Sequence, residues 1–392
     1  MQAIKDIYRI GYGPSSSHTI APKRAMDFFV KQYGLLDSYT VDLYGSLALT
    51  GKGHHTDEIL RMAVEGAHII FDYHYDTLDN KLIITGFKNH ELVDRWEVFS
   101  LGGGAIKIDK FDSGDDREVF EHNEFNAIKK YIVDNNISLL DYIVKFEPDL
   151  LSYLEDALDM MVETVDRGLT SNGLLNEQLK YYRAAKNLIN DATDDDSKLI
   201  AYAYAAGEEN AAGHMVCTAP TLGSCGIVAS LMYYYLVDLK FERKKLIEAL
   251  AIGGLFGNII KQNASISGAL GGCQAEVGTA CAMAASMIAY LKGASLEEIE
   301  YAAEVGIEHH LGLTCDPVLG YVIVPCIERN GVAILRAFDA YKVAHNLLRV
   351  KKNLIDFDTV VASMKDTADK IPTELKETSL GGLALWYKHD NC

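Results

Sequence analysis

Apolar and polar positions along the chain fall into two regimes. Over residues 1 to about 110, segments of different period alternate: an amphipathic run near Pro22 to Tyr33, strand-like stretches at Tyr39-Leu43 and Leu82-Thr85, and a helix-like segment from Thr56 to Gly66. Beyond that point the helical period dominates, in Leu150 to Leu169, Lys198 to Ala206, Ile227 to Val237, Lys244 to Lys261, Val277 to Leu291, Ser295 to Leu311 and Val332 to Leu348. The pattern predicts a multi-domain α+β protein, with a small N-terminal α/β domain over residues 1-115 and an all-α domain over residues 116-392. The break falls after Leu-Gly-Gly-Gly-Ala-Ile-Lys-Ile, in the acidic stretch FDSGDDREVFEHNE, which reads as a linker.

Several helix ends are readable. Pro22 suits a first helical position, Thr56 a helix cap, and Ser295 with Glu298 a capping box closed downstream by Gly312. The interruptions of the helical half are rich in Gly, Thr, Pro and Cys: CTAPTLGSCG (217 to 226), SISGALGGCQAEVG (265 to 278) and GLTCDPVLGYVIVPCIERNG (312 to 331). Small residues let backbone approach a ligand closely, so these loops are expected to line a shared pocket.

Composition narrows the function. With 49% apolar residues over 392 positions the chain can bury a substantial core. A net charge of −18, with no basic face, repels nucleic acid rather than steering it in. The first residues lack the unbroken apolar centre of a signal peptide, and Val277 to Leu291, at 15 residues, is shorter than the ~20 that a bilayer-spanning helix needs. The expectation is a buried helix in a soluble, cytoplasmic protein with no membrane partner. Seven cysteines, an odd number, in a reducing compartment leave core packing, metal ligation or nucleophilic chemistry.

Cys273 follows Gly271-Gly272 and opens a predicted helix, where the positive end of the helix dipole favours thiolate. Cys315 is held on a constrained loop by Asp316-Pro317, and Cys326 follows Pro325 and an apolar run. Cys281 has the surroundings of a core residue, and Cys217 and Cys225, flanking the Thr-Ala-Pro-Thr loop, suit packing better than a site. The separations of Cys273, Cys315 and Cys326, 42 and 11 residues, are not the tight spacing of zinc ribbons or ferredoxins, so loop cysteines without a ligand remain an equal reading at this point. In the first domain, GYGPSSSHTIAP sets Ser15, Ser16, Ser17 and His18 before a helix, where hydroxyls and free N–H groups suit a carboxylate. YGSLALTGKGHHTDE places His54 and His55 in a glycine-flanked loop able to swing an imidazole over a pocket. His309-His310 ends a helix, where the dipole alone favours histidine.

Taken in order, GPSSSHT, YGSLALTGKGH, EENAAG, TAPTLGSCG, NASISGALGGCQAEVG, EHHLGLTCDP, VPCIERN and KETSLGGLA resemble the bacterial iron–sulfur-dependent L-serine dehydratases, or L-serine ammonia-lyases, from about residue 10 onward. The resemblance implies a single-chain enzyme, cytoplasmic and homodimeric, with an α/β domain packed on a helical catalytic domain. It implies a [4Fe–4S] cluster on Cys273, Cys315 and Cys326, with Cys392 folding back as a removable plug at the fourth position. It further implies conversion of the amino acid L-serine to pyruvate and ammonia. His54, and after it His18, would take the α-proton; Ser15, Ser16, Ser17, Thr218, Thr221 and Asn210 would hold the substrate carboxylate and amine. Three features depart from the family pattern: APKRA where Gly-Pro-x-Arg-Ala is commoner, His54-His55 where His-Gly is usual, and a short N-terminal domain. The alternatives are a dehydratase or desulfhydrase acting on threonine or cysteine, a non-catalytic iron–sulfur sensor, and a pyridoxal-phosphate enzyme, for which the nearest lysine is Lys365.

Overall fold

The computed structural model describes residues 1–74 and 80–387. Nine strands are found among them: β1 (Ile10–Tyr12), β2 (Ser38–Leu43), β3 (His68–Phe71), β4 (Lys81–Lys88), β5 (Glu91–Gly102), β6 (Ala105–Ile108), β7 (Leu174–Asn176), β8 (Tyr181–Tyr182) and β9 (Met215–Cys217). Five of them form a sheet in the order β3-β2-β4-β5-β6. β2 and β3 run parallel, which demands a crossover, supplied by the helix Thr56–Ala63. β4 and β5 form a hairpin whose two loop residues, Asn89 and His90, both take the positive φ of a right-twisting tight turn. The helix Ile20–Tyr33 covers one face, packing Ala25, Met26 and Phe29 against Val41, Leu43, Ile84, Trp96 and Val98. Burial alternates along β2, as expected of a sheet with one covered face.

The rest is mostly helical. At its centre lies Thr279–Leu291, buried from Thr279 through Ala289, with helices Arg243–Asn263, Leu296–Glu308, Cys326–Leu347 and Cys225–Tyr233 packed around it. A helix apolar on every side belongs inside a core. Among the described residues no helix is long and apolar enough to cross a membrane. The helical half is not wholly helical: β7 and β8 form a small hairpin, and β9 pairs antiparallel with β1. That last pairing joins the first residues of the chain to the helical body. Ile4, Ile7 and Tyr8 are buried in its core, and the Tyr8 hydroxyl donates to the Leu250 carbonyl at 2.8 Å.

Four local expectations change. The first helix begins at Ile20, so Pro22 sits inside its first turn, where a missing N–H leaves nothing unsatisfied. Thr56 is the first helical residue rather than the cap; His55 precedes it in the left-handed region, and the Thr56 hydroxyl has no partner. The last long helix starts at Cys326, not near Val332, because the polar residues Glu328, Arg329 and Asn330 hide its first turn from the apolar period. The acidic linker holds a buried anchor: Asp115 accepts from Arg9 at 2.6 Å, from Arg24 at 2.9 Å and from the Ile106 N–H at 2.9 Å. The capping box on Ser295 and Glu298 is formed as expected.

Close helix crossings need bare backbone. A Cβ on Gly168, in the helix Leu150–Thr170, would lie 2.3 Å from the carbonyl oxygen of Ala205. Helix propensity alone makes glycine to alanine stabilising by roughly 0.5–1 kcal/mol. Here overpacking should win, and Gly168→Ala is expected to destabilise by about 1–3 kcal/mol in denaturant unfolding; a stabilised variant would show that the two helices are free to part.

Candidate active site

One cavity takes residues from all three interruptions of the helical half and from the N-terminal loops: Gly223 from the first, Cys273 and Glu276 from the second, Cys315, Pro317 and Cys326 from the third, with Pro14, Ser15, His54 and Glu377 facing them. Cys273 precedes a π-helical turn, Gln274–Gly278, that runs into the buried helix. Cys315 lies on a loop as predicted, and its backbone is clasped by the chain's far end: its N–H donates to Leu375 at 2.8 Å and its carbonyl accepts from the Glu377 N–H at 2.7 Å. Cys326 is a helix-start residue rather than a loop cysteine. The sulfurs of Cys273 and Cys315 and a carboxylate oxygen of Glu276 lie within 4.8 Å of one another.

Electrostatics separate the thiols. The Cys315 S–H donates to Cys273, and together with the Arg329 guanidinium this outweighs burial and holds Cys273 below the ordinary thiol range. The same hydrogen bond, with burial, pushes Cys315 well up; burial first of all does so for Cys326. Arg329, one helical turn beyond Cys326, also donates to the Thr314 carbonyl at 2.6 Å and lies 3.2 Å from Asp316. Desolvation lifts the Glu276 carboxyl to about 7, against the 2.7 Å hydrogen bond it accepts from Thr221. Glu377 is raised by desolvation and then by Glu276 and Cys273.

Opposite stand two imidazoles in contact, of which His54 lines the cavity and His18 lies behind it. His18 and His54 are buried with ring centroids 4.2 Å apart, edge to face. Burial pushes His18 down to about 4, and His54 lies well below 6.5 for the same reason, with the two neighbouring histidines adding to it. Both imidazoles are therefore neutral at physiological pH. A nitrogen of each and a carboxylate oxygen of Glu377 lie within 4.8 Å of one another. His54 is held rather than swinging: it is 1% exposed and its Nδ1 is 3.1 Å from the Thr50 hydroxyl. Its Nε2 and Oε2 of Glu377 are buried without a partner.

The other candidate residues divide by position. Ser15 lines the cavity; Ser17 bonds His18 Nδ1 at 2.9 Å; Ser16 is buried but does not line the cavity. Thr221 touches the site through Glu276. Thr218 is drawn away from it, since its hydroxyl donates to the Ile7 carbonyl and accepts from the Arg9 N–H, both at 2.7 Å. Asn210 stands behind the serine loop, donating to the Pro14 carbonyl at 2.8 Å. Cys217, Cys225 and Cys281 are buried in apolar cores. His310, just past the helix Leu296–Glu308, donates back to the Gly306 carbonyl at 2.7 Å. Lys365 lies exposed on the helix Phe357–Lys370. Cys392 lies outside the described residues.

Two family models divide this chain between them. Serine dehydratase beta chain matches residues 3–81, and Serine dehydratase alpha chain matches residues 83–384. The chain belongs to the serine dehydratase family. L-serine dehydratase 1 and L-serine dehydratase 2 of Escherichia coli (strain K12) are 36% and 35% identical to it, over 98% of this chain and 99% of each relative. L-serine dehydratase of Streptomyces coelicolor is 33% identical over 98% of both chains. The alignment to the second E. coli enzyme spans 454 positions against 392 residues here, so that relative carries segments this serine dehydratase lacks. Glu276, Glu377 and Arg329 lie within the motifs that carry the resemblance, yet sequence reasoning left them unassigned. The available signal was a charged residue inside an otherwise small and apolar motif.

His18 makes the fold sensitive to acid. Its folded value of about 4 lies below the 6.5 of a free imidazole, so between those pH values the unfolded chain binds a proton that the folded protein refuses. Stability is expected to fall with falling pH across that window by about 1.4 kcal/mol per pH unit, on top of other titrations. Denaturant unfolding at stepped pH should show His18→Gln losing this increment of slope. An unchanged slope would mean that His18 protonates freely in the folded state.

Proposed function

We propose that this chain dehydrates and deaminates L-serine to pyruvate and ammonia, with a [4Fe–4S] cluster held by Cys273, Cys315 and Cys326. The observation that carries the proposal is that three thiols, one from the second interruption and two from the two ends of the third, converge on one cavity with a neutral histidine whose Nε2 is buried without a partner. The donor set fits the cluster: thiolates are the ligands iron–sulfur centres select, and three of them leave one corner for substrate. When bound, such a cluster supplies a Lewis acid that eases the departure of the substrate hydroxyl.

The chain's own residues then account for the remaining chemistry. His54 Nε2, neutral because it is desolvated, takes the α-proton. His18 packs against its ring and fixes the plane in which it acts. Ser15 is placed to hold the substrate carboxylate, and among the described residues Glu276 and Glu377 are the carboxyl groups on the cavity wall that can receive a substrate ammonium group. The 2-aminoacrylate left after loss of water tautomerises and hydrolyses to pyruvate and ammonia without help from the protein. For Cys392 as a plug, the support is that the Leu383 N–H donates to Asp316 at 2.7 Å, tethering the last described turn beside Cys315. A homodimer acting in the cytoplasm rests on the resemblance alone. A closed electron carrier would have no use for paired neutral imidazoles and unpaired carboxyls beside its cluster, and this cavity therefore favours the lyase.

Protein purified without oxygen should absorb broadly in the visible and form pyruvate from L-serine. His54→Ala should keep that absorption and lose about 10²–10⁴-fold in kcat. Near-normal turnover would remove His54 as the base; no pyruvate from wild type with its cluster intact would remove the function.

A further inference from the structure

A neutral imidazole can serve as a base only through the nitrogen that carries no proton, so the tautomer of His54 decides whether the nitrogen facing the cavity accepts a proton or presents one. The hydrogen-bond partners around Thr50 answer this. The Ser46 carbonyl, which can only accept, lies 3.1 Å from His18 Nε2 and 2.9 Å from the Thr50 hydroxyl. His18 Nε2 therefore carries that ring's proton, which leaves His18 Nδ1 to accept from Ser17 at 2.9 Å and Ser15 at 3.1 Å. The Thr50 oxygen, 2.9 Å from His18 Nε2, is then an acceptor toward His18.

One proton on Thr50 remains to be placed. Directed at His54 Nδ1, it would leave two oxygens, Thr50 Oγ1 and Ser46 O, facing each other at 2.9 Å with no hydrogen between them. Directed at Ser46 O, it satisfies that contact, and Thr50 Oγ1 accepts from both rings, from His54 Nδ1 at 3.1 Å. Only the second arrangement gives each of these short contacts a proton; the longer 3.4 Å approach of Ser46 Oγ to Thr50 Oγ1 carries none in it, because Ser46 donates to the Glu377 carbonyl at 2.9 Å. The residues stand at 46, 50 and 54, one helical turn apart, so that a short helix and the turn after it align the chain of bonds.

We propose that Thr50 is the positioning residue of the reaction: tied by its own proton to the Ser46 carbonyl, it fixes His54 as the Nδ1–H tautomer and turns the bare Nε2 lone pair into the cavity. This rests on His54 being the base, and the test separates the two statements. Full-length protein with ring-15N histidine, before and after cluster removal, should show a His54 signal set, identified by its loss in His54→Ala, with Nδ1 protonated and Nε2 bare. Thr50→Val should mix the tautomers and lower kcat about 10–100-fold with KM little changed, while Thr50→Ser should restore both the tautomer and most of the rate. A wild-type signal with the proton on Nε2 overturns the proposal whether or not the valine variant folds. So does a Thr50→Val enzyme that turns over normally when His54→Ala does not. Normal turnover by His54→Ala would instead overturn the base assignment, and this proposal with it.

Discussion

Everything at the site depends on a ladder of three residue pairs. β1 and β9 pair antiparallel, Ile10 opposite Cys217 and Tyr12 opposite Met215, and the ladder is extended by the Gly13 N–H donating to the His214 carbonyl and the Thr218 N–H to that of Arg9. So short a ladder would not persist in water; it persists because the residues before it, Ile4, Ile7 and Tyr8, are buried in the helical core. From Gly13 the chain runs against Asn210, so tightly that a Cβ on Gly13 would lie 2.0 Å from the Asn210 carbonyl oxygen. The imidazole wall is in this way fixed to the thiol wall, although the sheet between Ser38 and Ile108 has a core of its own. Thr218 serves this junction, which is the physical reason its hydroxyl is unavailable to a substrate.

Much of this was legible beforehand, and the boundary of legibility follows range. Periodicity found the long helices and the strands β2 and β4, since the covered face of each leaves a local imprint, but not β5, the longest strand. The three Gly- and Cys-rich interruptions do meet in one cavity, because small residues mark the places where backbones converge. What stayed hidden needs partners remote in sequence. β1 is three residues long and has meaning only beside β9. Glu377 reaches the site because its backbone pairs with Cys315, 62 positions away. His54 read as a swinging loop residue because nothing local announces that Thr50 and His18 enclose it.

The cavity is electrostatically one-sided. Cys273, Cys315, Cys326, Glu276 and Glu377 gather there, and Arg329 is the cation that offsets them. Several ionisable acids desolvated together cannot all be charged, and the upward shifts of Cys315, Cys326 and both glutamates express that. A cationic or Lewis-acidic guest relieves the conflict, an anionic one deepens it. An amino acid presenting its ammonium to the carboxyls and its hydroxyl to a metal meets both demands, whereas a simple carboxylic acid meets neither as well. The histidines are neutral for a different reason: burial outweighs the attraction that so acidic a neighbourhood would exert on a charged imidazole.

Backbone strain points to the same place. Of the seven described residues with positive φ that are neither glycine nor asparagine, four, His55, Leu319, Glu377 and Ser379, lie in segments that form or border the cavity, while His90, Lys180 and Lys240 lie elsewhere. Each such residue costs roughly 1–2 kcal/mol and persists only where its surroundings over-determine it. For Glu377 the constraint is visible. Its N–H donates to the Cys315 carbonyl at 2.7 Å and its carbonyl accepts from Ser46 at 2.9 Å, so the residue is pinned from both walls at once. A side chain held in this way has little freedom to turn aside when substrate enters. The unpaired Glu377 carboxyl oxygen and the unpaired His54 nitrogen are thus paired features, two buried groups denied partners by a rigid frame so that a third molecule can supply them.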